Sequence, residues 1–136
     1  MRAFFANNDR QHERMVQNKL KSFHRVLLYS YQAAWIHKEG STEGYVRALI
    51  NPDKVKFDYD EKVVSVDFTH KFQPGDVFEW PRGSKTRWII YKQELSELAY
   101  FRGNIRRCQL IEATVPDTKE KIKVWVAIYG PVETTI

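Results

Sequence analysis

Six apolar positions, Val16, Leu20, Phe23, Leu27, Tyr31 and Ala34, recur at steps of four, three, four, four and three. That spacing marks one side of an α-helix, where residues three and four apart are neighbours. Asn7, Asn8 and Asp9 are good N-cap residues, and Asn8 followed by Gln11 resembles a capping box, with Asp9 and Glu13 near the positive end of the helix dipole. No Pro or Gly interrupts the pattern before Gly40. It predicts one helix from Asp9 to Trp35, about 40 Å long at 1.5 Å per residue. Such a helix is longer than a small β-domain is wide, so part of it should protrude or pack on a neighbour. Val26 and Leu28 widen the apolar face towards the carboxyl end, which marks that end for docking.

After Gly40, Ser41 and Gly44 the period changes from helical to alternating. Tyr45 to Ile50 reads as a strand halted by Asn51-Pro52-Asp53, and Val55 to Tyr59 is short and mixed. Lys62 to Thr69 alternates Val64, Val66 and Phe68 with Ser65 and Asp67. Gln73-Pro74-Gly75-Asp76 and Pro81-Arg82-Gly83-Ser84 are turns that bracket Val77 to Trp80. Arg87 to Gln93 then completes a hairpin, with Trp88 and Ile90 on one face and Ile89 and Tyr91 on the other. Glu94 to Phe101 fits neither period. Ile105 to Glu112 is a strand, Val115-Pro116-Asp117-Thr118 turns the chain, and Lys121 to Tyr129 alternates most clearly. In that last strand Ile122, Val124, Val126 and Ile128 point one way, and Lys123, Trp125, Ala127 and Tyr129 the other.

The expected fold is α+β. Residues 1–40 form a basic helical arm, and residues 41–136 a mainly antiparallel β-barrel or sandwich of about six strands. Gly130-Pro131 breaks the last strand and Val132 to Ile136 starts another β-like segment, which reads as a chain that continues further or as a tail that pairs with a neighbour.

Charge divides the chain in the same place. Of 22 basic and 17 acidic residues, residues 1–38 hold seven basic (Arg2, Arg10, Arg14, Lys19, Lys21, Arg25, Lys38) and two acidic (Asp9, Glu13), which is the entire net charge of +5. A basic segment on a neutral body suits nucleic acid or an acidic protein surface, and a solvated helix face is the plainer reading. The basic residues are scattered, with no Lys or Gly/Arg tract and no helix-turn-helix or RNP-type motif nearby. No apolar run approaches the roughly 20 residues that cross a bilayer, and the start of the chain lacks an apolar signal segment. Membrane partners are therefore not expected.

Aromatic residues make up 14% of the 136 residues, with four Trp, seven Tyr and eight Phe, so some must reach the surface of so small a domain. Trp, Tyr and Arg are the residue types enriched at protein–protein hot spots. Phe78 and Trp88 are expected inside, and Trp80, Tyr91 and Trp125 nearer the surface. Together with Val16, Leu20, Phe23, Leu27 and Tyr31 these are the candidate partner-binding residues. Arg10, Arg14, Lys19, Lys21 and Arg25 are the candidate nucleic-acid contacts.

Catalytic and metal chemistry find little support. Cys108 follows Arg106 and Arg107, whose charges favour a thiolate, but alternation turns it into the core on the same face as Leu110. The lone cysteine forms no internal disulfide. His12, His24 and His37 are too far apart along the helix to share a metal, and His70 stands alone at a strand end. Asp53, Asp58, Asp60 and Glu61 lack the order of a calcium loop. No phosphate-cradling, nucleophile-elbow or zinc-protease motif occurs. Neither an enzyme nor a cofactor is expected.

Three stretches, Pro74 to Trp80, Arg87 to Tyr91 and Ala99 to Cys108, resemble small β-domain structural proteins encoded in the virion modules of tailed bacteriophages. Leu49 to Lys54, Asp58-Tyr59-Asp60 and Tyr129 to Ile136 are similar to the same group, so the likeness covers most of the chain after residue 45. The resemblance implies a non-enzymatic virion component at the head or the head-to-tail junction, assembled in the host bacterial cytoplasm. It also implies longer chains that continue past the equivalent of Ile136. No binding residue is carried over from it. The expected partners are other virion proteins (portal, capsid, neck or tail), further copies of the chain in a homo-oligomeric ring or multi-copy assembly, and packaged DNA. A capsid decoration protein is the close variant, and a nucleic-acid-binding module using the basic helix is the competitor from another class.

Overall fold

The computed structural model describes residues 2–52 and 61–128, with side chains from Arg10 onward. One helix, α1 (Arg2–Tyr29), precedes seven strands: β1 (Ala33–Lys38), β2 (Tyr45–Pro52), β3 (Glu61–Val66), β4 (Val77–Glu79), β5 (Arg87–Gln93), β6 (Phe101–Thr114) and β7 (Lys121–Ala127). The α+β expectation holds at that level.

The helix departs from its expected span at both ends. It begins at Arg2, so Asn7, Asn8 and Asp9 lie within it rather than ahead of it. It stops at Tyr29 instead of Trp35. The Ser30 N–H makes a last helical bond to the Val26 carbonyl at 2.8 Å. The Ser30 hydroxyl and carbonyl then accept from Gln32 N–H at 3.1 Å and Ala33 N–H at 3.2 Å, turning the chain. Ala34 continues the helical stripe on paper, but it also alternates with Ile36, which is fully buried in the sheet. Tertiary burial of Ile36 outweighs the weak preference for one more helical turn.

All strand pairings are antiparallel. The sheet runs β3-β2-β1-β4-β5-β6-β7, and β3 also pairs with β6, so six strands close a ring of hydrogen bonds with β7 outside it. The ring is filled by Ile36, Ala48, Val64, Val66, Phe78, Trp88, Ile90, Phe101 and Ile105. Phe72, from the loop between β3 and β4, packs on Phe78 and Phe101 at centroid distances of 6.3 and 6.4 Å. That loop is stitched to β5 by Gly75 N–H to Ile90 O at 2.7 Å and Ile90 N–H to Asp76 O at 2.9 Å. Gly75 has φ of 97°, a backbone region that a side chain would strain.

Phe68 is exposed, against the alternation that placed it with Val64 and Val66. The strand ends at Val66, and Asp67 starts a turn, accepting from Thr69 N–H at 2.9 Å through its carboxylate and from His70 N–H at 3.0 Å through its carbonyl. The expected segment Val55 to Tyr59 and the tail from Tyr129 lie outside the described residues.

Gly103 sits where β6 is flanked by both β3 and β5. A methyl group there would meet the Lys92 carbonyl and the Phe101 ring, each at 3.0 Å. Gly103→Ala should therefore lower stability by about 1–3 kcal/mol through overpacking. The check is the urea midpoint followed by tryptophan fluorescence.

Candidate functional site

Two elements extend from the ring, one at each end of β6. The first is α1. Its last two turns dock on the ring: Phe23 and Leu27 are 5% and 7% exposed, while Val16 and Leu20 are half-buried. The Phe23 ring stacks on Tyr100, with centroids 4.1 Å apart. Lys19 donates to Glu97 at 2.5 Å, a bond that raises the lysine pKa, and His24 pairs with Asp67. Arg47 Nε donates to the Leu27 carbonyl at 3.0 Å, and its guanidinium lies 5.2 Å from the Trp35 ring centroid. The side chains from Arg10 to Met15 are all exposed.

Burial pushes the Asp67 carboxyl up, but the Thr69 N–H and His24 outweigh it, so its pKa lies below the usual Asp value. A depressed carboxyl contributes stability above its unfolded pKa and loses it as pH falls through the folded one. Helix docking should therefore weaken below about pH 4. Amide exchange across residues 19–29 should accelerate in that window, and Asp67→Asn should flatten the dependence.

The basic candidates separate into two groups. Arg10, Arg14, Lys21 and Arg25 are exposed. At 100° per residue they fall within about 60° of one another, on a helix face turned about 150° away from the docked Phe23 and Leu27. Lys19 lies on a different face and is committed to Glu97.

The second element is an arm. β6 is fourteen residues long, and its pairing with β3 and β5 ends at Arg106 and Cys108. Beyond that point, among the described residues, 109–114 pair with β7 alone. Val115 N–H to Glu120 O and Lys119 N–H to Val115 O, both 2.9 Å, close the tip. Alternation gives the arm two unlike faces. The odd residues of β6, which fill the core at Phe101 and Ile105, continue outward as Gln109, Ile111 and Ala113, opposite Val126, Val124 and Ile122. That face carries no charge, and Ile111, Ile122, Val124 and Val126 are 37–44% exposed. The other face pairs Leu110 with Trp125, Glu112 with Lys123 and Thr114 with Lys121.

The remaining candidates are distributed between core and surface. Phe78 and Trp88 are buried, as expected. Trp80 is half-buried, with its ring 5.5 Å from that of Trp88, whose indole N–H donates to the Trp80 carbonyl at 2.8 Å. The Trp80–Pro81 peptide is cis. Trp80 thus organises a turn against the core. Trp125 is half-buried, Tyr91 is exposed at the irregularity between Ile90 and Lys92, and Tyr31 is 94% exposed in the turn after α1 rather than on the helix. Phe23 and Leu27 are taken up by the chain's own ring.

A polar cluster at the rim is internally satisfied. Glu79 accepts from Tyr45, from Gly83 N–H at 3.2 Å and from Arg87 at 3.2 Å, while Arg87 also reaches Glu39 at 2.5 Å. Arg82 lies 4.5 Å from the Tyr45 ring centroid. These contacts tie β2, β4, β5 and the turn at 81–84 together. Cys108 is 5% exposed, and burial raises its thiol pKa to about 11, despite the nearby Arg87 charge. Leu110, two residues on along the same face, is exposed.

Of the acidic candidates, Asp53, Asp58 and Asp60 lie outside the described residues, and Glu61 is buried against Arg106 at 3.2 Å. Among the described residues no group of three or more His, Cys, Asp or Glu is placed to hold a metal ion. His12 and His37 join no such group, and His70 pairs with Glu43. No helix among the described residues is long and apolar enough to cross a membrane. The arm of β6 and β7 is a feature that sequence alone does not separate from the body, since an alternating strand looks the same whether or not its apolar face is covered. The chain matches no protein-family model, and neither curated proteins nor solved structures give a match.

Proposed function

We propose that the chain is a non-enzymatic structural subunit of a tailed-phage virion, acting at the head-to-tail junction through protein–protein contacts. One observation carries the reading: a closed ring of strands extends an apolar ribbon at one end of β6 and a largely exposed helix at the other. Such a molecule has a rigid body to repeat and two different extensions with which to reach neighbours. Many copies of one modest contact then add by multivalency. The sequence resemblance supplies the virion setting, and a barrel-like module packed side by side in a ring is the corresponding architecture. In phage carrying a stop codon in this coding sequence, electron microscopy should find heads and complete tails that remain apart. Intact, infectious particles would overturn the proposal, and joined particles with fragile heads would move the chain to a decoration role.

A second reading is favoured by the single basic face of Arg10, Arg14, Lys21 and Arg25. A helix presenting four cations over about 22 Å suits the phosphates of DNA. Binding would fall steeply with salt and fall again when these four are replaced by Gln. Lys19→Gln would leave it unchanged, since Lys19 is held by Glu97. Binding insensitive to salt removes this reading.

A further inference from the structure

We infer that copies of this chain join edge to edge through their arms, β7 of one copy lying antiparallel beside residues 109–114 of β6 in the next. The inference rests on the multi-copy reading above and names the surface that would build the multimer.

Among the described residues the arm has two open edges, and they differ. Among the described residues nothing pairs with the outer edge of β7, and nothing pairs with residues 109–114 on the side where β5 lies farther down the strand. Open edges present unpaired N–H and C=O groups and recruit further strands. A two-stranded ribbon is also only marginally stable by itself, whereas three or more strands sharing an apolar face are stable.

Charge selects the pairing. The β7 segment carries Lys121 and Lys123, and residues 109–114 carry Glu112 as their ionised group; Lys121 and Glu112 already approach to 3.6 Å within one copy. Joining β7 to β7 about a two-fold axis would gather the lysines of both copies in one seam with no acid. Joining β6 to β6 would gather the glutamates. Joining β7 to the next β6 places each Glu112 between lysines on both sides, the arrangement in which opposite charges face across strands. It also fills both open edges of every copy, which neither two-fold arrangement does.

The register that repeats the one within the arm sets Glu112 beside Lys123, Ile111 beside Val124 and Ala113 beside Ile122 of the neighbour. The strands alternate in direction throughout, as antiparallel pairing requires. The uncharged faces then merge into one continuous apolar surface. A head-to-tail contact of this kind closes into a ring when its rotation permits.

The test uses Ala113→Cys and Ile122→Cys, made separately in the full 136-residue chain, where Cys108 is buried and serves as the unreactive background. Mixed and mildly oxidised, the two variants should give disulfide-linked dimers bridging positions 113 and 122, with little cross-linking of either variant alone. Ile122→Cys cross-linking to itself as efficiently as in the mixture would overturn the inference in favour of a two-fold contact. Multimers by light scattering without the mixed disulfide would overturn it in favour of another surface. A chain that stays monomeric at millimolar concentration overturns it too, while leaving the virion reading to be decided by particles.

Charge exchange supplies the second measurement. Glu112→Lys should raise the concentration for half-assembly on the order of tenfold, and combining it with Lys121→Glu and Lys123→Glu should restore assembly. Unchanged assembly in Glu112→Lys contradicts the proposed seam.

Discussion

Arg106→Met should lower the stability of the folded chain by about 3–5 kcal/mol. Arg106 and Glu61 are both buried, directly opposite each other across β6 and β3, and their side chains meet at 3.2 Å. Arg106 Nε also donates to the Ile128 carbonyl at 2.6 Å, just past the end of β7. One guanidinium thus secures the closing seam of the ring and the root of the arm. Removing it takes the cation away from a buried carboxylate, which is far costlier than never having had the pair. The double variant Glu61→Leu, Arg106→Met should regain much of the loss, because an apolar pair of similar size needs no counter-charge. Urea unfolding followed by tryptophan fluorescence gives both numbers. A loss below about 1 kcal/mol in the single variant would mean that the pair is solvated and does not hold the seam.

Phe23→Ala combined with Leu27→Ala should detach the helix without unfolding the ring. These are the buried side chains of the described part of α1, and the Phe23 stack on Tyr100 is lost with them. Each truncation at a buried site costs about 2–5 kcal/mol. The hydrogen bonds and ion pairs of Lys19, His24 and Arg47 cover partly exposed groups and offset little of that. Amide protection across residues 16–29 should fall by about 100-fold or more, since each 1.4 kcal/mol is tenfold. The strands should keep theirs, because the nine core residues named for the ring come from the strands alone. Parallel loss of protection in helix and strands would show that the helix is part of one cooperative core.

The local features were legible and the non-local ones were not. Alternation and turn chemistry predict a strand over Arg87 to Gln93, and the structure shows the same span for β5, with Trp88 and Ile90 inside. The turns at Pro74-Gly75 and Pro116-Asp117 were equally plain. The helix end was not legible, because Tyr31 and Ala34 extend a 3.6-residue stripe while Ala34 and Ile36 equally begin a two-residue one. Which pattern wins depends on whether a ring exists for Ile36 to close, a fact set by residues far along the chain.

The same limit explains the candidate surfaces. Phe23 and Leu27 looked like partner contacts because a stripe records that it will be covered and not by what; here the ring covers it. Ile122, Val124 and Val126 alternate as a core strand does, so their pattern does not tell that the pairing scheme places β7 beyond the ring. Lys19 looked like its basic neighbours until Glu97, 78 residues away, was brought against it.

Whether this chain is, as proposed, a multi-copy structural part of a phage particle is read most directly from its copy number in purified particles by quantitative mass spectrometry. The expected number equals one or two rings of subunits per particle. Absence from purified particles would contradict the proposal.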